Sequence, residues 1–207
     1  MSWRRIILVF FAVFPIVGRT TSAMDFTEHS GTISSNLTAV FASGEIFPGD
    51  TEKLTRFLTH LPVRKNTAIY FASPGGNLYE GIKLGLYFRK NDIKTVVEGA
   101  SDCASACAIA FLGGTDRNGK PWRSSSSNSR LGFHAFSNPG DANPNSDQLQ
   151  SVVSDLLSYG KAVDAPIELL ISGFATPSSD IYWVPQNDVC KLGIKLWSVD
   201  TNAFLCN

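Results

Sequence analysis

Asp102-Cys103-Ala104-Ser105-Ala106-Cys107-Ala108-Ile109-Ala110-Phe111-Leu112-Gly113-Gly114 is the stretch on which the reading of the chain turns. One serine sits among small residues at the head of an apolar run. Extended sequence precedes it (Lys94-Thr95-Val96-Val97-Glu98-Gly99), and Gly113-Gly114 stops it. This is the order of a strand, a tight turn and a short buried helix with Ser105 near its first turn. A hydroxyl there is held at a fixed point, and the free N–H groups of the helix start face whatever it attacks. The alanines let backbones pack closely and leave space beside the hydroxyl. A plain core helix containing one serine has the same pattern, so the rest of the chain has to decide.

A length of 207 residues suits one α/β domain. At 43% hydrophobic and 17% charged, the chain can build a core without a metal, and no metal or cofactor is implied. With 18 basic and 18 acidic residues there is no basic surplus for a nucleic-acid partner. The N-terminus reads as a targeting signal: Arg4 and Arg5, an apolar run from Ile6 to Val17, then small residues at Thr21-Ser22-Ala23. We assign residues 1–23 to a signal peptide and 24–207 to one domain, periplasmic or secreted. The alternative is an uncleaved N-terminal membrane anchor, although the apolar run is shorter than the roughly 20 residues a spanning helix needs. Removing Arg4, Arg5 and Arg19 with the signal leaves 15 basic against 18 acidic residues, a net charge of −3.

Export implies an oxidising compartment, and the four cysteines (Cys103, Cys107, Cys190, Cys206) are an even number. Three pairings are open. Cys190 with Cys206 would tie down the C-terminal tail. Cys103 with Cys107 would then brace the serine turn, because four helical residues rise about 6 Å, within reach of a bridge. The spacing is not that of a zinc module.

Along the chain, Leu37 to Ile46 reads as a first strand region. Asp50 is placed to cap a helix whose Leu54, Phe57, Leu58 and Leu61 share one face. Ala68 to Ala72 is a short strand running into Ser73-Pro74-Gly75-Gly76-Asn77. The next helix is expected to turn Leu78, Ile82 and Leu86 inward. Val96 and Val97 form another strand. This alternation is the signature of crossovers over a mostly parallel sheet. Thr115 to Ser129, with its run of serines at 124–127, reads as a loop or hairpin, and Leu131 to Phe136 as a buried strand. Asn138 to Ser146 is a loop. Leu149, Val152, Val153, Leu156 and Leu157 mark an amphipathic helix, and another helix follows Pro166. Ile181 to Val184 is a strand, Pro185 to Gly193 a helix and Lys195 to Val199 a final strand.

A parallel sheet gathers functional groups at the carboxyl ends of its strands. A serine needs a base, and imidazole is the usual one. Of the three histidines, only His134 has a strand-like apolar setting; His29 and His60 do not. The base needs a carboxylate to orient it, and Asp180 is the first choice, with Asp188 behind it. The N–H groups of Gly76 and Ala106 could bind a developing oxyanion.

The SPGG segment, Ser105 in a small-residue turn, His134 on a later strand and Asp180 before Ile-Tyr-Trp together resemble the Clp protease proteolytic subunit, within the crotonase-like superfamily. The 29-residue interval from Gly76 to Ser105 is similar too. The resemblance, over roughly Phe41 to Val199, implies a crotonase/Clp-protease-like spiral of ββα units with a mostly parallel sheet. It implies Ser105 as nucleophile, His134 as general base, Asp180 as its orienter, and Gly76 with Ala106 as oxyanion hole. It further implies homo-oligomer contacts through the helix at 146–160, which would correspond to the family's handle helix. The cysteines beside Ser105 depart from the family, as does the longer loop between Ser105 and His134. An exported chain meets no cytosolic ATPase, so no ATPase partner is expected and small peptides or unfolded segments are the expected substrates. The expected activity is thus an exported, ATP-independent serine peptidase. The alternative is a catalytically inactive binding or scaffold module on the same fold. An acyl-thioester enzyme and a thiol enzyme using Cys103 or Cys107 are further alternatives. Mass and N-terminal sequencing of the exported protein should give a chain beginning at Met24; a chain retaining Arg4 and Arg5 would show an anchor instead.

Overall fold

The computed structural model describes residues 22–29, 36–62, 65–136 and 146–206. Residues 1–21 of the expected signal lie outside them, as do residues 138–145 of the expected Asn138–Ser146 loop, whose last residue begins a helix. A seven-stranded sheet forms the centre. Its edge strand β1 (Asp25–Glu28) pairs antiparallel with β2 (Leu37–Ser43). From β2 the sheet runs parallel through β3 (Asn66–Ala72), β4 (Ile93–Val97), β6 (Arg123–Ser126) and β9 (Lys195–Ser198). Strand β10 (Ala203–Phe204) closes it antiparallel. A second sheet holds β5 (Asp102–Ala104), β7 (Arg130–Phe133) and β8 (Tyr182–Trp183) in that order. This is an α/β architecture with a mostly parallel central sheet, as expected.

The two sheets join where the chain would otherwise have continued β3. Ser73 bridges Cys103: its N–H donates to the Asp102 carbonyl at 2.9 Å, and the Ala104 N–H donates to its carbonyl at 3.1 Å. Strand β5 was not separated from the serine turn in the sequence, because three residues are too few to show a period.

Among the described residues the helices are α1 (Asp50–Thr59), α2 (Leu78–Lys90), α3 (Ala106–Phe111), α4 (Ser146–Ala162), α5 (Ile167–Ala175) and α6 (Gln186–Val189). Two expectations about them change. Asp50 does not cap α1. Its carboxylate accepts the Phe47 N–H at 2.7 Å, and the free N–H of Thr51 goes instead to Glu80 of α2, also at 2.7 Å. Helix α2 buries Glu80, Gly81, Leu84, Gly85 and Phe88, whereas Leu86 is exposed. The inward face was misread because two of its members are glycines, which carry no hydrophobic signal but permit the closest packing. Leu84 and Phe88 are fully buried, each worth about 1.5–3 kcal/mol.

The largest correction concerns the serine run. Thr115 to Ser129 is not simply a loop or hairpin, for Arg123–Ser126 is a fully buried inner strand of the central sheet. Hydroxyls are tolerated there because they are bonded: Ser125 Oγ meets Ser129 Oγ at 2.9 Å, and Ser129 Oγ donates to the Val97 carbonyl at 3.0 Å. Arg123 is buried as well and donates to the Val163 and Asp164 carbonyls just beyond α4, where a helix end favours a cation. Burial pushes its pKa down to about 10, so it stays charged at neutral pH.

Disulfides join Cys103 to Cys107 and Cys190 to Cys206, one of the three open pairings. No helix among the described residues is long and apolar enough to cross a membrane.

Helix α3 is entirely buried, and a Cβ added at Gly113 just after it would run into the backbone of Gly85. Gly113→Ala should therefore destabilise the protein by at least about 2 kcal/mol in urea unfolding, near the upper end of overpacking costs, because backbone cannot step aside like a side chain.

Candidate active site

Ser105 stands between β5 and α3 with φ 57° and ψ −127°. A non-glycine residue there costs about 1–3 kcal/mol and persists only when its surroundings leave no alternative. Three features constrain it. Its N–H donates to the Gly132 carbonyl of β7 at 2.9 Å. The disulfide joins the residues two before and two after it. Gly75 lies against it so closely that a Cβ there would stand 2.6 Å from the Ser105 Cβ and 2.7 Å from the Ala104 carbonyl oxygen. Gly75, at φ 106°, was passed over in the sequence in favour of Gly76, although the Pro-Gly-Gly signal covers both.

The second sheet orders the other candidates. Strand β7 lies beside β5 in parallel, with Ala104 opposite Gly132. His134 follows β7 by one residue, not within the strand as expected. On its other side β7 pairs with β8, Phe133 opposite Tyr182. Continued one residue beyond each strand, that register sets His134 opposite Ile181, the neighbour of Asp180. Serine, histidine and aspartate thus sit at the ends of three adjacent strands in that spatial order.

Their side chains are not linked. Ser105 is 8% exposed, His134 is half-buried and Asp180 is exposed. His134 Nδ1 lies 2.7 Å from the Ala135 carbonyl oxygen, and Asp180 Oδ1 accepts the N–H of Ile181 at 2.8 Å. Among the described residues neither bonds to the other, and neither bonds to Ser105. Asp188 pairs with Lys191 at 2.8 Å, and Asp102 is taken by Arg130. His29 pairs with Glu98 at 2.9 Å and packs against the rings of Phe41 and Tyr70, and His60 is tied to the Arg56 carbonyl.

Among the described residues the two expected amide donors are free of the bonds made around them. Ile46 bonds to the residues flanking Gly76, by its N–H to the Gly75 carbonyl at 2.7 Å and by its carbonyl to the Asn77 N–H at 2.8 Å. In a parallel bridge this turns the N–H of Gly76 away from Ile46. Ala106 is the first residue of α3, so its N–H has no partner within the helix.

A separate cleft of about 400 Å³ opens on the opposite face of the central sheet. Tyr70, Val96, Trp122, Trp197 and Phe204 line it, with Lys94 Nζ 4.9 Å from the centre of the Trp122 ring. Burial and the nearby Glu98 push the Tyr70 hydroxyl up to about 12. The sequence reading missed this cleft, although the alternation of Ala68, Tyr70 with Ile69, Phe71 in β3 carries its signal.

No protein-family profile and no curated protein sequence matches the chain. Solved structures do. ClpP1 from Listeria monocytogenes is similar with a TM-score of 0.54 at 15% identity, over 81% of this chain and 95% of that one. At that identity the likeness is one of fold.

Both cysteines near Ser105 are consumed in a bridge, and no cysteine is free among the described residues. This sets aside the thiol-enzyme alternative. A thiol titration of the unreduced, denatured protein should read no free thiol, rising to four per chain after reduction.

Proposed function

We propose that this chain is an exported, ATP-independent serine peptidase acting on peptides or unfolded segments. Ser105 Oγ attacks the scissile carbonyl carbon while its proton passes to His134. Asp180 orients the imidazole and steadies its charge. The carbonyl oxygen, now negative, takes hydrogen bonds from the N–H groups of Gly76 and Ala106. His134 returns the proton to the leaving amine, and water then releases the acyl group from Ser105 by the same relay. The reading needs no cofactor.

The observation that carries it is the backbone of Ser105, a non-glycine residue with φ 57° and ψ −127° at a strand-to-helix junction. Strain of this kind gathers at functional sites, and a plain core serine has no use for it. The order of β5, β7 and β8 supports His134 and Asp180 as partners. The reading requires the imidazole to leave the Ala135 carbonyl and the Asp180 carboxylate to leave the Ile181 amide. Catalytic hydrogen bonds commonly tighten in this way only when substrate binds. Export is supported by the two disulfides. Leu149, Val153 and Leu157 form an exposed stripe on α4, which supports the proposal of homo-oligomer contacts through the 146–160 helix. No ATPase or nucleic-acid partner enters the proposal.

One observation favours the second reading, a binding or scaffold module without catalysis: the aromatic cleft lies on the sheet face away from Ser105. A fluorophosphonate probe separates the two readings. It should label the wild type and fail on Ser105→Ala, with His134→Ala slowing labelling by about 100-fold or more. Equal labelling of wild type and Ser105→Ala, or none of either, would leave the binding module.

A further inference from the structure

We infer that the Cys103–Cys107 disulfide is a positioning element for the Ser105 hydroxyl, and that Cys103 and Cys107 are positioning residues of the site. This rests on the reading of Ser105 as the nucleophile.

The argument starts from the size of the covalent ring. The bridge spans a separation of four residues, and Ser105 is its middle member. One end is fixed in β5, where Cys103 pairs with Leu131 and bridges Ser73. The other lies in the first turn of α3. The backbone dihedrals of Ala104, Ser105 and Ala106 are therefore closed into a ring whose two ends belong to a sheet and a helix. The middle residue of that ring holds the positive φ. A strained residue relaxes unless its neighbours are held on both sides. The Gly132 carbonyl holds the N–H of Ser105 from the β7 side, and Gly75 limits the space beside its Cβ. The disulfide alone ties the residues before and after it to each other.

A bridge kept for overall stability would be placed differently. The gain from constraining the unfolded chain grows with the length of the closed loop, and this loop is the shorter of the two. Cys190–Cys206 closes a separation of 16 and holds the C-terminal segment to the residues after α6. A redox switch would be placed differently as well. Cys103 and Cys107 are both 0% exposed, so a dithiol reductant has no path to the sulfur in the folded protein. Position, burial and loop length together leave local geometry as the role.

The experiment compares three variants with the wild type: Cys103→Ala/Cys107→Ala, Cys103→Val/Cys107→Ala (which refills the apolar space), and Cys190→Ala/Cys206→Ala. Each is followed by thermal melting and by the rate and concentration dependence of fluorophosphonate labelling, corrected for folded fraction. Loss of the Cys103–Cys107 bridge should lower the maximal labelling rate by about 10- to 100-fold, the cost of a nucleophile displaced by a fraction of an ångström to an ångström. The probe concentration at half-maximal rate should stay within about twofold. Loss of the Cys190–Cys206 bridge should lower the melting temperature more and leave the labelling rate within about twofold. Unchanged labelling in both Cys103/Cys107 variants overturns the inference while leaving Ser105 as nucleophile. A wild type that is not labelled at all overturns the reading of Ser105 itself. If neither Cys103/Cys107 variant folds, the bridge holds the whole fold and a role confined to the serine is overturned.

Discussion

The structure depends on how closely helix α3 is approached by its neighbours. A Cβ at Gly81 would come 2.5 Å from the Ala106 carbonyl oxygen, and Gly113 leaves no room for one against Gly85. Side chains on either surface would push α2 and α3 apart. At this distance α3 is wholly enclosed, with Ile109, Phe111 and Leu112 filling the core between the two sheets. Tyr159 of α4 completes the enclosure by donating its hydroxyl hydrogen to the Ile109 carbonyl at 2.6 Å. Burial raises the pKa of that hydroxyl, so it remains a neutral donor.

This enclosure explains how the chain keeps a strained residue. Domain stability is only about 5–15 kcal/mol, and a residue in the Ser105 conformation uses about 1–3 kcal/mol of it. The conformation survives because relaxation is opposed on several sides: by β7, by Gly75, by the Cys103–Cys107 bridge across it, and by α3, held against the glycines of α2. Packing sets the position of the hydroxyl, and the electrostatics beside it stay quiet. Asp102 is neutralised by Arg130, whose guanidinium also stacks 4.3 Å from the Trp183 ring centre. A full charge next to the serine would compete with a developing oxyanion, and here it is already paired.

How far the fold and site could be read in advance follows from which residues carry a hydrophobic or turn signal. The β3, α2, β4 alternation, the helices after residues 146 and 166 and the apolar run of α3 were legible, because apolar spacing reports directly on burial. The inward face of α2 was not, since Gly81 and Gly85 matter by what they lack. Strand β6 was not, since Arg123 and three serines look solvated until the carbonyls and hydroxyls that satisfy them are known. The carbonyls that satisfy Arg123, those of Val163 and Asp164, lie far along the chain. For the site, Ser105 and the glycine pair could be picked out locally. The adjacency of His134 and Asp180 comes from the register of β7 with β5 and β8, which no local pattern encodes. Their side-chain contacts, to the Ala135 carbonyl and the Ile181 amide, depend on local geometry that no sequence pattern encodes.

The central sheet also keeps its two sides separate. In β3, Ile69 and Phe71 join the core with α3, while Ala68 and Tyr70 join a small cluster with Ala39 and Val96 on the other face. Leu37, Phe41 and Trp122 pack against that cluster, none of them from a helix. Period-two geometry makes this division strict, because moving a residue between faces requires slipping a whole strand. The register of seven parallel pairs between β2 and β3 forbids that slip. Ser105, His134 and Asp180 flank the strands of the second sheet, whereas the aromatic cleft is lined from the central sheet, so the two draw on different strands. A change confined to one face of the central sheet leaves the packing of the other in place, so a substitution in the cleft leaves the surroundings of Ser105 as they are.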